Sequence, residues 1–297
     1  MKEKTAGVLA DTVIYAAAFA AGAVPFAFID SIFAATAAFT CTATLVVFAA
    51  SCAFKDVSVY DPYWSVAPPA MLIAVMIKYG LWNANSVILL FAVGIWAFRL
   101  TANWYYTYKG IGREDWRYAQ YREKCSAPLF YIISFFGLHF VPTAVVWLGM
   151  TGVFRAAEAT EFSPFSLFGL TLMLAAVALE YFADTSIHLF LKEHAGDRRC
   201  CDVSVWRYSR HPNYLGEMSF WTGAYLYFLP LCAGKWYYGI GFVSIIVLFL
   251  AVSIPMMEKH NSSRRVDWED YKARTSMLLL LPPRQTGRAP EEKPNDC

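Results

Sequence analysis

Residues 164–190 read PFSLFGLTLMLAAVALEYFADTSIHLF, and no charge interrupts them before Glu180. A helix crosses a bilayer with roughly 20 mostly apolar residues at 1.5 Å each, so this stretch reads as a membrane span. An acid at the centre of the hydrocarbon costs roughly 2.5–3.5 kcal/mol, so each polar group here needs a reason. Glu180 and Asp184 stand four residues apart and His188 four further on. Helical spacing places all three on one face. That face must look into a bundle or a wet cavity, either as an interhelical polar clamp or as a functional site.

The same count along the chain finds eight apolar segments, at 8–28, 31–53, 65–82, 86–104, 128–152, 164–190, 213–233 and 237–257. The third is short and broken by Pro68 and Pro69, so seven crossings remain the alternative. Composition agrees with a membrane class: 58% of the 297 residues are hydrophobic and only 16% charged, against roughly 25% charged in soluble domains. A net charge of +2 is too balanced for a nucleic-acid partner. With eight crossings, 21 of the 25 Lys and Arg fall on one side, the others being Lys78, Arg99, Arg155 and Lys235. The basic side is cytoplasmic, so both termini are expected there. The expected fold is an all-α polytopic transmembrane bundle, in a bacterial inner membrane or the endoplasmic reticulum.

The basic start and apolar run of the N-terminus permit a cleavable signal peptide. Its run exceeds 20 residues and leads straight into another, which favours an uncleaved helix. Residues 1–54 form two N-terminal helices in this scheme, 55–283 a membrane domain, and the Pro-rich 284–297 a disordered tail. The seven cysteines lack metal-ligand spacing, and no metal is expected. Adjacent Cys200 and Cys201 cannot bridge without strain and read as free thiols.

The chemistry concentrates in Trp206–Glu217, WRYSRHPNYLGE. Pro212 biases His211 to an extended backbone and suits the first turn of the following helix. Asn213 and Glu217 share a face of that helix. Its free N–H groups form an anion site, and Arg207 and Arg210 stand just before it as phosphate forks would. Such a turn equally suits anionic lipid head groups. Residues 99–124 and 258–274 add Arg and aromatic side chains on the same side, among them His260, Arg264, Arg265 and Tyr271. Three such loops over one bundle end can enclose a large polar cofactor.

The RYSRHPNYLGE motif at 207–217, EYFAD at 180–184 and WEDYKARTS at 268–276 resemble the C-terminal half of the steroid 5-alpha reductase superfamily. DVSVYDPYWS at 56–65, IWAFRL at 95–100 and GREDWRY at 112–118 resemble its DUF1295 branch of membrane proteins. The resemblance covers about residues 55–283. It implies an NADPH-dependent reductase that saturates a carbon–carbon double bond of a steroid or other lipid, often an enone, with the active site toward the cytoplasm. It further implies that Asn213 and Glu217 contact the nicotinamide end and that Asp184 is an acidic cofactor contact. Arg113, Arg210 and His260 fall near positions for phosphates or ribose, with Arg207 and His211 in the same cofactor turn and Tyr208 and Tyr214 as walls.

In such a reaction negative charge develops on the substrate carbonyl, and a donor there lowers the barrier. Asp61 and Tyr63 are assigned to that end, with a helix cap as the alternative role for Asp61. The superfamily's usual Arg seven residues after the acid is here Leu191, followed by Lys192, which supplies charge without a bidentate fork. Membrane methyltransferases that use S-adenosylmethionine share an RHPxYxG turn, usually without the Glu that follows Gly216 here. A non-catalytic lipid-binding protein on the same scaffold is the alternative of another class.

Overall fold

A computed structural model of the chain describes residues 2–232 and 234–285. Among these residues there are helices and no strand: α1 (Lys2–Ala23), α2 (Ile32–Phe54), α3 (Tyr63–Tyr79), α4 (Ala84–Thr107), α5 (Trp116–Lys124), α6 (Ala127–Ile133), α7 (Val141–Ala157), α8 (Ser166–Glu193), α9 (Pro212–Phe228), α10 (Ile240–Leu248), α11 (Ile254–Arg264) and α12 (Trp268–Arg274). Six stretches are long and apolar enough to cross a membrane: Glu3–Ala27, Ile32–Phe54, Ala84–Thr107, Ala127–Ala157, Ser166–Glu193 and Trp236–Arg264. The chain is a multi-pass membrane protein. The other two expected spans, α3 and α9, are helices of 17 residues each. At 1.5 Å per residue each reaches about 26 Å, short of a hydrocarbon core of about 30 Å.

Local chemistry accounts for the helix ends. Ser31 caps α2 by accepting from Ala34 N, and Asn83 and Ser86 close a reciprocal capping box on α4. Gly80 ends α3 at φ 66°, a left-handed turn that favours glycine. α3 runs through Pro68 and Pro69. Two long rods contain π-turns, Ser134–Phe140 between α6 and α7 and Phe249–Ser253 between α10 and α11. Two segments expected as loops are partly helical: Asp115 caps α5 through Arg117 N, and α11 extends the last span to Arg264.

The chain divides into two compact units, one of Met1–Val177 with Met218–Val247, the other of Ala178–Glu217 with Leu248–Cys297. In the first, α1 packs on α2, α3 on α4, and α2, α3 and α4 on α7. Its core is aromatic: Trp96 stacks on Phe220 at 5.0 Å and meets Trp221 edge-on at 5.3 Å. α8 and α9 cross through glycine. A Cβ at Gly169 would lie 2.2 Å from Tyr227 N, and one at Gly223 would lie 2.8 Å from Gly169 O. Backbones approach this closely only where both side chains are absent, the usual device for apposing helices in lipid. The second unit holds the end of α8, the loop to α9, the first turns of α9, α11 and α12. The tail expected over 284–297 lies, from 286 onward, outside the described residues.

Candidate functional site

In the second unit the WRYSRHPNYLGE turn is held from both sides. Trp206 Nε1 donates to Ala183 O at 2.8 Å, docking the turn on α8 beside Asp184. On the other side the chain after α12 returns along it. Ser209 and Ser276 form a parallel bridge, Arg210 N donates to Ser276 O at 2.9 Å, and Ser209 Oγ donates to Leu278 O at 2.7 Å. Tyr271 Oη reaches Trp206 O at 2.6 Å. Every one of these bonds joins segments distant in sequence, so the turn is preorganised by tertiary structure.

The centre of the arrangement is Glu258 on α11. Its carboxylate accepts a fork from Arg210, Nε at 2.9 Å and Nη2 at 3.1 Å, and lies 2.9 Å from His211 Nε2. Arg210 Nη1 donates to Thr275 O at 2.6 Å and Lys272 O at 3.1 Å. Arg210 and His211 are both buried. The His211 ring stacks on Tyr214 at 5.4 Å and 5°, and Tyr214 packs on Phe249 of the π-turn at 4.9 Å. Read as a phosphate fork in the sequence, Arg210 here has its donors engaged within the chain and clamps the start of α9 to α11.

Two residues beyond Glu258, His260 opens a cleft of about 370 Å³, lined also by Asp197, Arg198, Asn261, Arg264 and Arg265. The cleft is cationic. Among the described lining residues the one carboxylate, Asp197, is held below the usual carboxyl range by Arg199, whose Nε donates at 2.7 Å. Arg198 commits Nε to Arg264 O and Arg265 commits Nη1 to Arg199 O. Each guanidinium carries five donors, so most of theirs remain for a ligand. Phosphate-type anions fit this donor set.

The other expected residues of this unit are close by in the fold. Glu180 and Asp184 are buried on one face of α8, while neighbouring Tyr181 and Phe182 are exposed; the acids face inward, as their cost in lipid requires. Glu217 is buried and Asn213 half-buried at i, i+4 on α9. Arg207 and Tyr208 are exposed on the outside of the turn. The thiols of Cys200 and Cys201 are free and buried, and burial raises both thiol pKa values, that of Cys201 to about 11.

Three expected residues belong to the first unit. Arg113 is exposed, 3.7 Å from Glu3. Asp61 accepts from Tyr118 Oη at 2.5 Å and lies 3.8 Å from Arg117 Nη2. Burial raises its pKa to about 6 against the pull of Arg117 and the Tyr118 hydroxyl. The N-cap of α3 is Pro62, without a side-chain bond, so Asp61 does not cap that helix. Tyr63 is fully buried, its hydroxyl 3.3 Å from that of Thr44. Asp61 and Tyr63 thus serve different partners.

Sequence reasoning missed Glu258, whose only signal is an acid at the end of an apolar run in a basic segment. It also missed Arg198 and Asn261, which carry no motif.

Residues 47–275 match the family described as "Protein of unknown function (DUF1295)". The chain belongs to the DUF1295 family. The match takes in the clamp, the cationic cleft, Asp61 and Tyr63, and begins after α1. Among curated proteins, "Uncharacterized protein C594.04c" of Schizosaccharomyces pombe is 24% identical over 199 residues, 58% of this DUF1295 chain and 58% of the yeast protein. The chain therefore spans just over half the length of that relative. No solved structure matches it.

Proposed function

We propose that this DUF1295 protein is an NADPH-dependent membrane reductase that saturates a conjugated carbon–carbon double bond of a steroid or other lipid. The observation that carries the reading is the His211–Glu258 contact at 2.9 Å. It ties the N-terminus of α9, with Asn213 and Glu217, to the helix whose next turn opens the cationic cleft. A dinucleotide needs such a pairing, with acceptors for its nicotinamide and ribose and cations for its phosphates.

On this reading His260, Arg198, Arg264 and Arg265 hold phosphate. Asp184, Asn213 and Glu217 orient the nicotinamide and ribose end, and Tyr208 and Tyr214 wall the site. Arg210 and His211 act as positioning residues. When bound, the dihydronicotinamide contributes a hydride to the β-carbon of the enone. Asp61 and Tyr63, in the first unit, keep the proposed role of hydrogen-bonding a substrate carbonyl. We further propose eight crossings, with α3 and α9 completing the bundle, both termini in the cytoplasm, and the site on that side. The charge asymmetry supports this topology.

The test is thermal unfolding of the purified full chain with NADPH or S-adenosylmethionine. NADPH alone should raise the midpoint, and Glu217→Ala should abolish the rise. Stabilisation by S-adenosylmethionine alone would overturn the reductase in favour of a methyltransferase, and no response to either would favour a non-catalytic lipid-binding protein.

A further inference from the structure

In the second unit the chain after α12 closes a small loop. Arg284 N donates to Arg274 O at 2.9 Å, so residues 274–284 leave and return at one point, with an arginine on each side of the base. Between the two arginines the sequence is TSMLLLLPP, without a charge. Met277, Leu279, Leu280 and Leu281 are 42–56% exposed. Four large apolar side chains within five residues are costly to hold in water.

Backbone bonds fix the place of this loop. Ser276 O accepts from Arg210 N, Leu278 O accepts from Ser209 Oγ, and Leu281 N donates to Tyr208 O at 3.2 Å. Both ends of the apolar run are therefore tied to Tyr208–Arg210, while the four side chains stay exposed.

The turn that holds the loop hangs at a definite depth on two spanning helices. Tyr271 Oη reaches both Trp206 O and Ser209 O, and Trp206 is bonded to Ala183 O. Ala183 stands ten residues before the end of α8, about 15 Å at 1.5 Å per residue. Glu258, the partner of Arg210, stands six residues before the end of the span Trp236–Arg264, about 9 Å. α8 has 28 residues; at about 42 Å it exceeds a hydrocarbon core of about 30 Å by about 12 Å. Even with all of that excess at its C-terminal end, Ala183 lies level with the acyl chains. A loop tied at this depth, its apolar side chains uncovered, meets lipid.

We propose that the Met277–Leu281 loop inserts into the bilayer leaflet at the C-terminal end of α8 and anchors the RHPNYLGE turn to the membrane. Phospholipid supplies hydrocarbon for the leucines and a phosphate for Arg284, exposed at the base of the loop; a long basic side chain beside an apolar segment reaches the head groups in this way. The inference rests on the multi-pass class and on these bonds, and it holds whatever the turn binds.

The test puts p-benzoylphenylalanine in place of Leu280, and separately in place of Glu269, which is exposed on α12, in the full chain in phosphatidylcholine nanodiscs. After irradiation, intact mass spectrometry should show a phosphatidylcholine adduct for the first protein and none for the second. A cross-linked dimer at Leu280, no lipid adduct there, or equal lipid labelling at both sites overturns the proposal. The double variant Leu279→Glu with Leu280→Glu leaves the backbone bonds of the loop available but places acids against lipid. It should speed amide exchange about tenfold in the peptide carrying Ser209 and Arg210, whereas Leu279→Ile with Leu280→Ile should not. Exchange at the wild-type rate in the charged variant also overturns the anchor.

Discussion

Glu258→Ala tests the clamp that organises the RHPNYLGE turn. The carboxylate accepts two bonds from Arg210 and contacts His211, all between 2.9 and 3.1 Å. Hydrogen bonds to charged groups contribute about 1.5–3 kcal/mol each, but three on one carboxylate are not additive. Removing one partner of a buried ion pair costs about 3–5 kcal/mol, because the other charge stays buried. The Glu258 side chain is 18% exposed against 8% for Arg210, and Arg210 keeps its bonds to Thr275 and Lys272. The lower end, about 3 kcal/mol, is expected. At roughly 2–4 °C per kcal/mol for chains of this size, the midpoint should fall by about 6–12 °C in a tryptophan-fluorescence melt. The double variant Arg210→Met with Glu258→Leu should recover most of that loss, since it buries no lone charge. Arg210→Lys should be intermediate, having charge without a fork. A melt unchanged by Glu258→Ala, or a double variant that loses the sum of the two singles, would refute the clamp.

Further outcomes follow from the same geometry. Asp61, with a pKa of about 6 against roughly 3.9 unfolded, binds protons more tightly in the native state. Its contribution is therefore complete below about pH 4 and is lost as pH rises through 6. Stability of the wild type relative to Asp61→Asn should fall by up to about 3 kcal/mol between pH 4 and 7, and a flat difference in pH-dependent melts would refute this. Cys200 and Cys201 should resist maleimide at pH 7 in the folded protein and react on denaturation, as mass spectrometry of tryptic peptides would read out; rapid native labelling contradicts their burial. Gly169→Ala should disrupt the α8–α9 crossing, where its Cβ would meet backbone at 2.2 Å, whereas Gly94→Ala, with nothing within 4 Å, should gain about 0.5–1 kcal/mol. Equal melts for the two variants would contradict the close approach.

Membrane class, helix positions and the one-faced acids of α8 were legible in the chain because each is a local property. A run of about 20 apolar residues, a proline at a helix start and an i, i+4 spacing need no partner elsewhere. The same locality explains the reading of Arg210. Beside a helix N-terminus it looks like a phosphate ligand, yet its counter-charge stands 48 residues away at Glu258. Nothing local distinguishes an arginine that waits for a ligand from one already satisfied. Asp61 and Tyr63, two residues apart, read as one pair, but tertiary packing turned one to Tyr118 and the other to Thr44.

By itself, then, the sequence determined that this is a helical membrane protein and where its long apolar helices run, since solvation by lipid acts on each segment separately. Only the tertiary structure decided which charges are spent on the fold and which face a cleft. Hydrogen-bond saturation and burial are properties of groups brought together from distant parts of the chain.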